Sequence, residues 1–173
     1  MSPSVLATEP SISPTVMRAD AVHVVGVCGA TLIQIWRGAP NYMLSAEVNE
    51  VARAMVASST HPVSSLFVVE RGSPPPDEAT RRNFASFSRD LVSQMSVSVV
   101  VAEGGGFRGA LVRAVGVTLT TILPHSSKFR FVNDVDSAAE LIAPYLLPAV
   151  GGAPGLLDAT SKLRAMIGAP SPR

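Results

Sequence analysis

Two short apolar runs constrain this chain most. Leu66-Phe67-Val68-Val69 and the stretch from Val97 to Val101 are too brief for helices and rich in β-branched residues. Runs of that kind mark strands buried on both faces, the strands of parallel sheets covered by helices. Helical stripes stand beside them. Leu44, Val48, Val51, Met55 and Val56 share one helical face ahead of the first run, and Phe84, Phe87, Leu91 and Met95 share another between the two runs.

The punctuation agrees. Val22, Val24 and Val27 open a β-branched stretch, Leu32 to Trp36 forms another, and Cys28-Gly29-Ala30 can turn between them, which predicts a hairpin. Gly38-Ala39-Pro40 breaks the pattern, and Asn41 is placed to cap the helix that follows. Gly72-Ser73-Pro74-Pro75-Pro76 stops the next strand, and Asp77 is placed to cap its helix. Gly104-Gly105-Gly106 leads into a third helix with Phe107, Leu111, Ala114 and Thr118 on one face. Lys128 to Val132 reads as a last strand, and Asp134 or Asp136 caps a helix carrying Ala139, Leu141, Ile142 and Tyr145. The order β-β-α-β-α-β-α-β-α predicts an α/β fold: a mixed, mostly parallel β-sheet flanked by helices, with the hairpin as its antiparallel edge.

The ends read differently. Residues 1–20 hold Pro3, Pro10 and Pro14 among Ser and Thr and predict a disordered N-terminal arm. The α/β domain is expected over 21–147. Residues 148–173 read as a linker, centred on Gly151-Gly152-Ala153-Pro154-Gly155, and a short amphipathic helix with Leu156, Leu157, Leu163, Met166 and Ile167. Such a stripe folds back on its own core or meets a partner, and the former is the commoner arrangement.

Composition excludes several functions. Apolar residues at 47% can fill a core, while 16% charged residues and a net charge of +1 leave no electrostatic footprint for nucleic acid or an anionic membrane. A single cysteine excludes a disulfide framework and a Cys-rich zinc site, and three scattered histidines make no metal cluster. The apolar run over residues 21–36 falls short of the roughly 20 residues a membrane span needs, and no basic leader precedes it, so a cytoplasmic location is expected.

Candidate site residues fall at the strand ends. Gly104-x-Gly106-x-x-Gly109 follows a strand and opens a helix, where backbone N–H groups could hold an anion. Arg108 lies in that helix's first turn, where it opposes the dipole unless Glu103 or a bound anion compensates. The steric need of a tight turn explains the glycines equally well. Ser73, ahead of three prolines, is expected to be exposed and suited to phosphorylation near a helix N-terminus. Arg71, Asp77 and Arg81 flank it and complete a candidate partner-binding or regulatory surface. Cys28 and His23 share a strand at a spacing that points them to opposite faces, which excludes a nucleophile–base pair. Glu70 with Asp77, or Glu103 with Asp134, could form acid pairs at strand ends, although solvated surface positions are the plainer reading.

The element order, the closing stretch Phe129-Arg-Phe-Val-Asn-Asp-Val-Asp-Ser-Ala-Ala-Glu-Leu-Ile142, and Gly106-Phe-Arg-Gly-Ala-Leu-Val-Arg113 after the penultimate strand together resemble the STAS superfamily, the sulfate transporter and anti-sigma factor antagonist domains. Gly72-Ser-Pro-Pro-Pro-Asp-Glu-Ala-Thr-Arg-Arg82 with Glu103-Gly-Gly-Gly-Phe-Arg108 is similar to STAS-like proteins of myxobacteria. The resemblance covers about residues 20–147. It implies a protein-interaction switch; with no catalytic constellation in the sequence, the expectation is a non-enzymatic, cytoplasmic domain with no cofactor. In anti-sigma antagonists a Ser or Thr at the start of the helix after the third strand is phosphorylated. Here that place reads Glu70-Arg-Gly-Ser-Pro74, so Ser73 is the hydroxyl that carries over, while the family's motif itself is absent. Two other functions stay open: an anionic-ligand protein or enzyme (nucleotide, phosphate or lipid) using Gly104, Gly105, Gly106 and Arg108, and a homodimer or larger homo-oligomer built on the C-terminal helix.

Overall fold

The structure is a computed structural model and describes residues 12–104 and 128–168. One six-stranded sheet runs in the order of the sequence: β1 Thr15–Ala19, β2 His23–Cys28, β3 Thr31–Trp36, β4 Ser64–Val69, β5 Val97–Ala102 and β6 Phe129–Val132. β1–β2 and β2–β3 pair antiparallel, and β3 to β6 are parallel. The chain is therefore α/β with a mixed, mostly parallel sheet, as the sequence predicts.

Every residue of β3, β4 and β5 is buried. Helices α1 (Tyr42–Ser58) and α2 (Glu78–Leu91) cross between parallel neighbours, and right-handed crossovers put both on one face. There Val25, Leu32, Phe67 and Val100 meet Leu44, Val48, Ala52, Phe87 and Leu91. Helices α3 (Val135–Ile142) and α4 (Gly152–Met166) cover the other face, where Val24, Ile33, Ile35, Leu66 and Val99 meet Ala138, Ile142, Leu156 and Leu163.

The caps are local chemistry. Asn41 Oδ1 accepts from the Leu44 N–H at 3.0 Å, Asp77 Oδ1 from Thr80 at 2.7 Å and Asp134 Oδ1 from Ser137 at 2.7 Å. Each satisfies an amide that the first helical turn leaves unpaired.

Two expectations change. Residues 15–19, expected within a disordered arm, form edge strand β1. Four of its five side chains are exposed, so the strand exists through pairing with β2 and not through an apolar pattern. Residues 151–155, expected as a linker, open α4: Gly151 takes φ +82° just before the helix, and Pro154 is tolerated in the first turn because its missing N–H would be unpaired there. β1 joins the same sheet by pairing with β2, and α4 packs into the same core, so neither stands apart from residues 21–147. The stripe Leu156, Leu163 and Ile167 is buried against the chain's own sheet, so the helix folds back, while Met166 is exposed. Gly26 permits this approach: a Cβ there would stand 2.6 Å from Leu163 Cδ2 and 3.0 Å from the Thr15 carbonyl. The expected third helix after Gly106 lies outside the described residues.

Candidate functional site at the strand ends

In sheets of this kind ligands and partners meet the carboxyl ends of the parallel strands. Three charged residues leave those ends in register: Arg37 follows β3, Glu70 follows β4 and Glu103 follows β5. Their amides prolong the ladder, Glu70 N–H to the Trp36 carbonyl at 2.8 Å and Glu103 N–H to the Val69 carbonyl at 2.9 Å. Arg164, from the last turn of α4, completes the group.

Arg37 holds Glu70 with a fork: Nε donates to Oε2 at 2.7 Å and Nη2 to Oε1 at 3.3 Å. The hydrogen bond to Glu70 raises the Arg37 pKa further above its ordinary value. Arg37 Nη1 also reaches the Ile167 carbonyl at 3.5 Å. Arg164 Nη2 donates to Glu103 Oε1 at 2.7 Å. Its Nε stands 3.1 Å from Glu70 Oε1 without hydrogen-bond alignment, so that contact is Coulombic. Two cations and two carboxylates thus balance, and they tie the end of α4 to three strands.

This pairing corrects the expected acid pairs. Asp77 and Asp134 serve as helix caps, while Glu70 and Glu103 share Arg164. The backbone hydrogen bonds that each cap accepts hold Asp77 and Asp134 below the usual carboxylate range. Glu103, considered as a partner for Arg108, is engaged by Arg164.

Ser73 also differs from expectation. It is 5% exposed, and its Oγ donates to the Gly38 carbonyl at 2.6 Å. Gly72, with φ +84°, turns the chain so that Ser73 faces the end of β3. Its N–H donates to the Glu70 carbonyl at 3.1 Å. The hydroxyl expected to be exposed for phosphorylation is an internal clasp. Arg71, Pro74, Pro75 and Asp77 around it are exposed, and Arg81 is half-buried.

Among the glycines of the candidate anion site, Gly104 is described. It takes φ +96°, and a Cβ there would lie 3.1 Å from Arg71 Cγ. The residue is thus fixed by its backbone conformation and by the Arg71 stem above it. Gly105, Gly106 and Arg108 lie outside the described residues.

Arg37 and Arg164 are the site residues the sequence reading missed. Arg37 had a signal: it stands one residue past a strand, as Glu70 and Glu103 do. Arg164 had none, because only the fold brings α4 back to this edge.

The remaining nucleophile and base candidates lie elsewhere. Cys28 and His23 are buried on opposite faces of β2, as their spacing predicts. Burial pushes the Cys28 thiol up. The His23 ring lies 3.9 Å from the Trp36 ring, and burial lowers its pKa from 6.5 to about 4. Among the described residues no group of three His, Cys, Asp or Glu side chains could hold a metal, and no helix is long and apolar enough to cross a membrane.

None of the family models, curated proteins or solved structures compared with the chain matches it.

Proposed function

We propose that this chain is a non-enzymatic, cytoplasmic protein-interaction domain of the STAS kind, regulatory in role. The element order carries the likeness to that superfamily, and the loop between β4 and α2 carries the functional reading. The loop is exposed at Arg71, Pro74, Pro75 and Asp77, yet it is held from beneath by the Ser73–Gly38 hydrogen bond and by the Asp77 cap. Three prolines fix φ along it. A surface loop ordered before it meets a partner loses little entropy on binding. Arg71, Asp77 and Arg81 are the contact residues in this reading, and Ser73 is the clasp that shapes the loop.

Affinity capture tests it, using tagged full-length chain, the double variant Arg71→Glu with Arg81→Glu, and the control Lys162→Glu on the exposed side of α4. A partner retained by the wild type and the control but lost by the double variant, with unchanged melting temperature, is the expected result. Equal retention by all three removes this surface from the proposal.

A further inference from the structure

A second feature lies at the β1 edge of the sheet, under α1. The sequence places Glu47 inside the stripe Leu44, Val48 and Val51 of α1, an acid where the helical period calls for an apolar residue. The structure shows why it is tolerated. Between α1 and β1 a pocket of about 290 Å³ stays open, lined by Met17, Val25, Leu44, Val48 and Val51, with Arg18 and Glu47. A register shift between Val16 and Arg18 bends β1 at this point. Arg18 Nη1 donates to Glu47 Oε2, and both side chains are about half exposed. Asp20 stands beside Arg18, its Oδ2 4.0 Å from Nε, with its Oδ1 accepting from the Val22 N–H at 2.9 Å.

The pocket is thus walled largely by apolar side chains and carries at its rim one cation and one anion, paired with each other. Its volume compares with about 150 Å³ for an apolar cavity that takes benzene, and it sits at the lower end of small-molecule sites. A smaller hollow among the described residues, about 40 Å³ beneath α2 among Phe67, Phe84, Ser65 and Ser98, is closer to the size of a water site. An exposed ion pair contributes little to stability, so a ligand that offers each partner a new counter-charge can enter between them at small cost.

We infer that this pocket binds a free apolar α-amino acid of about leucine's size. The side chain lies against Val25, Leu44, Val48 and Val51, the carboxylate meets the Arg18 guanidinium, and the ammonium meets Glu47. Arg18 offers a planar fork that matches a carboxylate, and Glu47 at the helix flank offers acceptors that match an ammonium. Such a ligand would bridge β1 to α1 and give the domain a small-molecule effector site, independent of the strand-end surface.

Titration calorimetry and amide chemical shifts on the full-length chain test the inference with L-leucine as the probe. Saturable binding is expected, with shifts at Met17, Arg18, Val25 and Glu47. Glycine, which lacks the side chain, should bind at least about a hundredfold more weakly. 3-Methylbutylamine and 4-methylpentanoate each lack one charged end, and each should bind about tenfold more weakly or worse. Arg18→Gln should remove the preference for leucine over the amine, and Glu47→Gln the preference over the acid. Val51→Phe fills the pocket from a partly exposed position, so the chain should stay folded and lose the ligand. Absence of saturation with L-leucine at tens of millimolar overturns the proposal, as does equal affinity for leucine and both half-ligands. Undiminished binding by Val51→Phe overturns the location. A change of mass in sedimentation on Val51→Phe, without leucine binding by the wild type, would make the groove an interface between copies and would also overturn it.

Discussion

Acidification should weaken this fold through His23. The side chain is fully buried in β2, and neither ring nitrogen has a hydrogen-bond partner among the described residues. Desolvation is the main cause of its depressed pKa, about 4 against 6.5; Arg18 adds to the depression, while Asp20 and Glu47 oppose it. The unfolded chain therefore binds a proton that the folded chain refuses between those two values, and stability rises with pH across that window. Above 6.5 this residue contributes no pH dependence. As the pH falls from 6.5 to about 4, the fold loses up to about 1.4 kcal/mol per pH unit, in total about 3 kcal/mol, and below 4 the loss is complete. That total is a large share of the ~5–15 kcal/mol that holds a typical domain together. Urea unfolding followed by the fluorescence of Trp36, the single tryptophan, reads the effect at its source, 3.9 Å from the imidazole. His23→Phe keeps a ring against Trp36 and cannot titrate. Its stability minus that of the wild type cancels the carboxylates common to both. The difference should be flat above pH 6.5 and grow by about 3 kcal/mol on going to pH 4. At neutral pH the variant should already be the more stable by on the order of 1 kcal/mol, because two orphaned polar atoms leave the core. If the two proteins follow the same pH curve, the imidazole is solvated or paired and the reasoning fails.

Three further outcomes are expected. Arg164→Met leaves Glu70 and Glu103 without their shared cation; because Arg164 is 35% exposed, solvent screens the loss to about 1–2 kcal/mol, and urea titration at low and high salt should show it shrinking as salt rises. Gly26→Ala puts a methyl group 2.6 Å from Leu163 Cδ2 and should lower stability by about 1–3 kcal/mol, with part recovered in the double variant carrying Leu163→Val; no recovery would mean that the Thr15 carbonyl, at 3.0 Å, is the real obstacle. Ser73→Ala breaks the clasp to Gly38 and should lower stability by about 1 kcal/mol, with faster amide exchange over residues 71–77; unchanged exchange would show that the prolines alone order the loop.

What the sequence made legible was what sequence neighbours decide. The runs at 66–69 and 97–101 were readable because a strand covered on both faces needs no alternation. Asn41, Asp77 and Asp134 were readable because a cap acts three residues along its own chain. β1 was not, because an edge strand with exposed side chains takes its order from a neighbour. The helix start at Gly152 was hidden by a Gly-Gly-Ala-Pro-Gly composition that suits a linker, although Ala153 and Gly155 are buried in the core. At the candidate site, Arg71, Asp77 and Arg81 could be marked from the loop. The burial of Ser73 depends on a carbonyl 35 residues away, and the sharing of Arg164 by two glutamates depends on where α4 comes to rest.

The strand order has a consequence for synthesis. Each strand pairs with the one made just before it, so the sheet can grow as the chain leaves the ribosome, and α1 and α2 can cover one side as they appear. Among the described residues the other side is covered later, by α3 and α4. Val24, Cys28, Ile33 and Ile35 are made early, yet the helix that contributes Leu156 and Leu163 to their cluster comes last. Among the described residues, that apolar face is covered only once α3 and α4 have been made, which leaves the partly made sheet prone to aggregation. A chain that stopped at residue 150 would leave the part of that face under α4 uncovered after release, so premature termination there should yield aggregate rather than a smaller soluble domain.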